Sequence, residues 1–196
     1  MMILASASPR RQELLRGLGV DFTVRTADID EHMDASLPPE REVERVARAK
    51  AAAIDETANS DDIIIAADTI VVCGEVLGKP KSEADAARML RLLSGRWHEV
   101  MTGLCVRKGA RVESLVSRSK LHFRALSDRE IAAYIATGEP MDKAGAYGIQ
   151  GRAGAFCEYL EGDYFSVMGL PVCSLAVLLR RFGVTVLGES GGGVRL

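Results

Sequence analysis

The apolar positions of this chain change period several times, and each change predicts an element. The short run Met2-Ile3-Leu4 predicts a strand. Leu14, Leu15 and Leu18 then recur at helical spacing, so a helix is predicted over 9–18. Ser8 is its expected N-cap, Pro9 its first residue and Gly19 its terminator. An extended segment over 22–26 leads to the acidic loop Asp28-Ile29-Asp30-Glu31. Pro38-Pro39 opens a longer helix reaching about Ile54, with Val43, Val46, Ala47 and Ile54 on its inward stripe. Residues 62–72, nearly all β-branched or small, give the strongest strand signal. Cys73-Gly74-Glu75 turns into Val76-Leu77-Gly78-Lys79-Pro80. Ser82 caps a further helix, with Ala86, Met89, Leu90 and Leu93 on one face and Gly95 at its end.

The pattern then becomes that of long antiparallel strands, over 97–107 and 112–123, flanking the turn Lys108-Gly109-Ala110. Ser127 and Glu130 predict a capping box for a helix ending at Gly138. A glycine-rich loop spans 142–154. A strand pair is expected over 156–164, turning at Glu161-Gly162. Leu170-Pro171 opens the last helix, with Val172, Leu175, Ala176 and Leu179 inward, and residues 184–187 predict a final short strand. Gly191-Gly192-Gly193 marks a frayed tail from about residue 189. No repeat or linker divides the chain, so residues 1–196 are expected to form one domain. The order of elements predicts an α/β fold: a mixed, twisted sheet with helices on both faces. No G-x-G-x-x-G follows the first strand and no G-x-x-x-x-G-K-[ST] exists, so phosphate binding here would use neither a Rossmann turn nor a P-loop.

Composition narrows the chemistry. A formal net charge of −2 over 196 residues argues against bulk binding to nucleic acid, which needs a broad basic face. The four cysteines, Cys73, Cys105, Cys157 and Cys173, lie in apolar stretches without C-x-x-C pairing. They read as small buried hydrophobes of a reducing, cytoplasmic compartment. His32, His98 and His122 have no ligand spacing, so any metal would be held by carboxylate oxygens, as magnesium or manganese is. No signal peptide and no run of about 20 apolar residues is present, so no membrane association is expected.

Against this background a few polar residues stand out. Arg10 and Arg11 add two cations to a helix start that is already electropositive, which suits a phosphate-bearing ligand docking at Ser8-Pro9-Arg10-Arg11. A pair of solvated arginines would read the same way. Asp68 interrupts the apolar strand Ile63-Ile64-Ile65-Ala66-Ala67-Asp68-Thr69-Ile70. A carboxylate there must be paired, metal-bound or perturbed. Either a structural ion pair or a catalytic acid/base or metal ligand fits. Lys50 falls on the inward stripe seven residues after Val43, as a snorkelling lysine or as an ammonium aimed into a pocket. Lys79 is held extended between Gly78 and Pro80. Four cations (Arg10, Arg11, Lys50, Lys79) with three acids (Asp30, Glu31, Asp68) suit a polyphosphate chelated to a divalent metal. The loop over 143–151 is either a surface Ω-loop or a close-approach loop whose Gln150 pairs with the edge of a base.

These residues together give the chain a resemblance to the Maf-like nucleotide pyrophosphatases, a family first linked to septum formation. The marks are Ser6-Ala7-Ser8-Pro9-Arg10-Arg11, Asp30-Glu31, Arg48-Ala49-Lys50, Ala67-Asp68-Thr69, Gly78-Lys79-Pro80, Asp142-Lys143-Ala144-Gly145-Ala146-Tyr147 and Val167-Met168-Gly169-Leu170-Pro171. The resemblance implies an elongated fold with two lobes flanking a central cleft. It also implies metal-dependent hydrolysis of a nucleoside triphosphate to the monophosphate and pyrophosphate. The sequence Tyr147-Gly148-Ile149-Gln150-Gly151 is similar to that of the branch preferring dTTP and UTP, ordinary or modified pyrimidine nucleotides alike. Asp68 is implied as proton acceptor, with Arg10, Thr69 and Gln150 tied to base preference. Ser8, Arg11, Lys50 and Lys79 are expected at the phosphates, and Glu31 and Asp68 at the metal. Gly78 departs from the acidic residue many relatives carry there, and Ala7 from a glycine. A homodimer is compatible with the resemblance. So is a non-catalytic role as a nucleotide-binding regulator of division.

Overall fold

The computed structural model describes residues 1–26, 28–30 and 36–187. The expected second metal ligand, Glu31, and the glycine tail fall outside them. Along the chain run β1 (Met2–Leu4), α1 (Pro9–Gly17), β2 (Thr23–Val24), α2 (Pro39–Asp55), β3 (Ile63–Val72), β4 (Val76–Leu77) and α3 (Glu83–Leu93). Next come β5 (Trp97–Lys108), β6 (Arg111–Phe123), α4 (Asp128–Ile135), β7 (Cys157–Glu161), α5 (Tyr164–Met168) and α6 (Val172–Arg181). Three 3₁₀ turns, Glu139–Asp142, Ala144–Ala146 and Arg152–Phe156, lie between α4 and β7. Among the described residues seven strands form one mixed sheet in the order β2-β1-β3-β5-β6-β7, with β4 pairing β3. β1 is parallel to both β2 and β3, with Ile3 opposite Thr23 and Ile64; β4 is antiparallel to β3, and β7 to β6.

The chain divides into two compact units, and β3, β5 and β6 pass from one into the other. The first unit holds residues 1–68, 102–117 and those from 169 onward. Its strands are apolar at nearly every position because both faces are covered. The two-residue alternation sorts them into two cores. Met2, Leu4, Ile63, Ile65, Leu104 and Val106 meet Leu15 of α1 and Leu175, Leu178 and Leu179 of α6. Ile3, Ala5, Ile64, Ala66 and Cys105 meet Ala47, Ala51 and Ile54 of α2. Ala5, Ala47, Ala51, Ala66 and Cys105 of this second core are small, and α2 lies close to the sheet. A Cβ on Gly103 of β5 would stand 2.4 Å from the carbonyl oxygen of Val43.

The second unit holds residues 69–101 and 118–168. Its buried interior includes an aromatic cluster. Phe123 meets His98 and Tyr147 edge-on at 4.8 Å each, and Tyr134 meets Phe156 at 5.2 Å. α3 packs on α4 and on the 3₁₀ turns. His98 is 3 % exposed and shares a 2.8 Å hydrogen bond with Tyr147 Oη. Burial pushes its pKa from 6.5 down to about 4. The neutral ring therefore contributes stability that is complete above pH 6.5 and is lost as pH falls toward 4. The contribution is about 3 kcal/mol. Glu130, whose pKa the hydrogen bond from Arg124 holds at about 2, gives up its own contribution only at lower pH. Denaturant unfolding between pH 7 and 4.5 should show a falling free energy, and His98→Gln should flatten that slope. An unchanged slope in the variant would disprove the assignment.

Several expected features differ. Ser8 sits at the N-cap of α1, but its side chain makes no cap; its N–H instead donates to Ser6 Oγ at 3.3 Å. Ser82 and Ser127 do cap, and Ser127 with Glu130 forms the expected box. Beyond Gly162, which has φ +119° and lies against Ser119, the chain enters the short helix α5 rather than a second strand. Asp163 helps start that helix: its Oδ1 accepts the Phe165 N–H at 2.8 Å. Residues 184–187 form no strand: Val184 N–H returns to Leu179 O at 3.0 Å to close the end of α6, and Val184 and Val186 pack on the core without sheet partners. On α6, Leu178 is buried while Ala176 is only half-buried. Of the cysteines, Cys73 and Cys105 are buried, Cys157 is half-buried and Cys173 is exposed. Burial pushes the Cys105 thiol up to about 11, which makes it inert. Among the described residues no helix is long and apolar enough to cross a membrane.

Candidate functional site

β3 stays fully buried from Ile63 to Ala67 and then surfaces for two residues, Asp68 and Thr69, before Ile70 and Val71 return to the interior. Asp68 therefore needs less desolvation than a carboxylate inside a buried strand, although it remains only 18 % exposed. Its partner is Lys50, whose Nζ donates to Asp68 Oδ1 at 2.8 Å. Lys50 reaches it from the last turns of α2, flanked on the buried stripe by Ala47, Ala51 and Ile54, and is 12 % exposed. Two charges this sheltered must be paired, and here each satisfies the other. Among the described residues the other carboxylate oxygen, Oδ2, accepts no hydrogen bond from the protein. It is open to a proton or a cation.

The start of α1 belongs to the same unit. Ser8, Arg10 and Arg11 are half-buried there. Arg11 is in part committed to its own chain: Nε donates to the Gly169 carbonyl at 2.8 Å and Nη1 to Ser6 Oγ at 3.1 Å. This ties the turn after β1 to the segment entering α6, so the arginine expected at a phosphate also holds the turn in place.

Thr69, Lys79 and Gln150 fall in the second unit. Thr69 is half-buried, directly after Asp68. Lys79 is exposed, on a turn whose preceding residue, Gly78, accepts the Gly145 N–H at 3.0 Å. Gly145 has φ +68°, and a Cβ there would stand 2.8 Å from Val71 Cγ2, so this crossing requires glycine. The loop that follows is not a surface Ω-loop. Residues 145–149 are buried and the chain emerges at Gln150, the third position of a turn closed by Gly151 N–H to Gly148 O at 3.0 Å. An exposed amide on a buried frame is suited to reading a base edge.

The structure brings Lys50 and Asp68 into contact and joins the Lys79 turn to the start of the Gln150 loop. Glu42 went unnoticed in the sequence. It is fully buried on α2 and receives Arg45 Nε at 2.8 Å. It lies eight residues before Lys50, so the stripe that singled out Lys50 could have found it too. Among the described residues no three His, Cys, Asp or Glu side chains form a group able to hold a metal.

A family model described as Maf-like protein matches residues 1–182. The dTTP/UTP pyrophosphatase of Moorella thermoacetica is 52% identical over 191 residues, covering 96% of this chain and 98% of its own. That of Hahella chejuensis is 48% identical over 193 residues, covering 96% and 95%. The solved structure of the Staphylococcus aureus Ham1 protein overlays 65% of this chain and 72% of its own at a TM-score of 0.40 and 16% identity.

Proposed function

The chain belongs to the Maf-like protein family, and we propose that it is a nucleoside triphosphate pyrophosphatase acting on dTTP and UTP. Relatives about half identical over nearly their whole length carry that name. The observation that carries the chemistry is the sheltered Lys50–Asp68 pair. Water attacks the α-phosphorus, and a new oxygen–phosphorus bond forms. The bond to the bridging oxygen breaks, and pyrophosphate leaves with its electron pair. The proton of the attacking water passes to Asp68 Oδ2. Lys50 fixes the other oxygen and so holds the carboxylate in one orientation.

Asp68 also fits as a ligand for a hard divalent cation such as magnesium or manganese. These ions are often held by one or two carboxylates together with substrate phosphates. Glu31 would be the second carboxylate. The ion would supply Lewis-acid polarisation of the phosphoryl oxygens. Arg10, Arg11 and Lys79 would neutralise the triphosphate, with Ser8 and Thr69 as hydroxyl groups beside it. Free cysteines and the substrate class support a cytoplasmic setting.

Purified protein given a panel of triphosphates with magnesium or manganese should release pyrophosphate fastest from dTTP and UTP. Tight binding without pyrophosphate would instead indicate a nucleotide-sensing regulator. Gln150 is assigned to the O4 and N3–H edge of uracil and thymine. Gln150→Ala should lower the UTP-to-CTP ratio of kcat/KM about tenfold. Equal slowing of every nucleotide would remove that assignment.

A further inference from the structure

Gln150 itself has no hydrogen-bond partner among the described residues, so the place from which its side chain projects is set by the turn that carries it. That turn, Gly148-Ile149-Gln150-Gly151, is gripped at both ends by one small network. Tyr134 Oη accepts the Gly148 N–H at 3.2 Å and donates to Glu139 Oε1 at 2.9 Å. The other oxygen of the same carboxylate, Glu139 Oε2, accepts the Arg152 N–H at 3.2 Å, one residue beyond the turn. One carboxylate thus bridges, directly and through a phenol, the backbone groups on either side of Gln150.

The packing is as tight as the bonding. A Cβ on Gly151 would stand 2.1 Å from Glu139 Oε1, and a Cβ on Gly148 would stand 2.8 Å from Lys143 Cε. Lys143 Nζ in turn donates to the Glu139 carbonyl oxygen at 2.6 Å. Glu139 and Lys143 thus occupy the space that a side chain at either glycine would enter. On the inner side Tyr147 is anchored through His98. Tyr134 lies in the buried core, where its packing on Phe156 leaves it little freedom.

We propose that Glu139, acting with Tyr134, is a positioning residue that sets base selectivity by fixing the Gln150 turn without touching the nucleotide. This rests on Gln150 reading the base. The turn fixes where the Gln150 side chain starts and so its distance to the base edge. From that fixed point the amide can meet O4 and N3–H of uracil with two hydrogen bonds at once, and a displaced amide loses that match. Loosening the turn should therefore cost discrimination before it costs turnover.

The test compares kcat and KM for UTP and CTP in Glu139→Ala, Glu139→Gln, Tyr134→Phe and Gln150→Ala, and in the double variant Glu139→Ala/Gln150→Ala. Thermal unfolding is followed in parallel to confirm that each variant is folded. Glu139→Ala should lower the UTP-to-CTP ratio about tenfold, mainly through a higher KM for UTP. Tyr134→Phe, which keeps the ring packing, should move the ratio the same way, and Glu139→Gln should restore part of it. In the Gln150→Ala background, loss of Glu139 should change the ratio no further. An equal drop in both backgrounds overturns the proposal, because Glu139 would then act independently of Gln150. A Glu139→Ala ratio that stays at the wild-type value while Gln150→Ala shifts it also overturns the proposal, yet leaves base recognition by Gln150 standing. A ratio untouched by Gln150→Ala removes both.

Discussion

Replacing Asp68 with asparagine should lower kcat for pyrophosphate release from dTTP by about a thousandfold, within the 10²–10⁴ range for loss of a positioned proton acceptor. Asparagine keeps the volume of the side chain, and its amide oxygen can still accept from Lys50, whose Nζ lies 2.8 Å from Oδ1. The variant should therefore fold. It lacks the charge that would accept a proton or hold a divalent cation, so both roles open to Asp68 disappear together. Steady-state release of pyrophosphate, with unfolding followed separately, is the measurement. Turnover within about threefold of the parent would take Asp68 out of the chemistry and leave its pairing with Lys50 as a structural contact. The two roles separate in a second measurement. A metal ligand should give an apparent metal affinity that falls in the variant, whereas a proton acceptor should leave it unchanged.

Gly103→Ala should destabilise the protein by about 3 kcal/mol or more, the upper part of the range for overpacking a core. The added methyl would stand 2.4 Å from the Val43 carbonyl oxygen, 2.8 Å from its carbonyl carbon and 3.1 Å from Glu44 Cα. All three are backbone atoms, so no side chain can rotate away. The helix would have to lift, and Val43, Ala47 and Ala51, each fully buried, resist that. For a chain of this size the melting temperature should fall by roughly 10 °C. The same α2 carries Lys50, so surviving activity should fall with it. A melting temperature within a degree or two of the parent would show that α2 does not lie this close to β5.

Much of this was legible in the sequence, because the determining signals were local. A run of β-branched and small residues identified β3, long extended patterns around the Lys108-Gly109-Ala110 turn identified β5 and β6, and the Ser82 and Ser127 caps were correctly placed. Lys50 and Asp68 stood out as charges on otherwise apolar patterns, and the fold makes them partners. What was missed depended on groups distant in sequence or on competing partners. Ser8 looks like a cap, yet its own N–H is taken by Ser6 Oγ. Arg11 looks like a free cation, but it is tied to Gly169, 158 residues away. The helix Tyr164–Met168 is too short for periodicity to distinguish from a strand. Glu139 carried no signal at all, because an acid beside a proline in a turn is ordinary. Only the fold brings its carboxylate to Tyr134 and Arg152.

The first unit draws its strands from the start of the chain and closes them with α6 from near its end: Leu175, Leu178 and Leu179 complete the core around Met2 and Leu4. During synthesis, β1 must therefore wait for nearly the whole polypeptide before its apolar face is covered, while the intervening segment of the second unit is already complete. Contacts this far apart in sequence slow folding and prolong the exposure of the aliphatic strands Met2–Leu4 and Ile63–Val72. A nascent chain stalled before Val172 should consequently engage holdase chaperones more strongly than one released after Arg181.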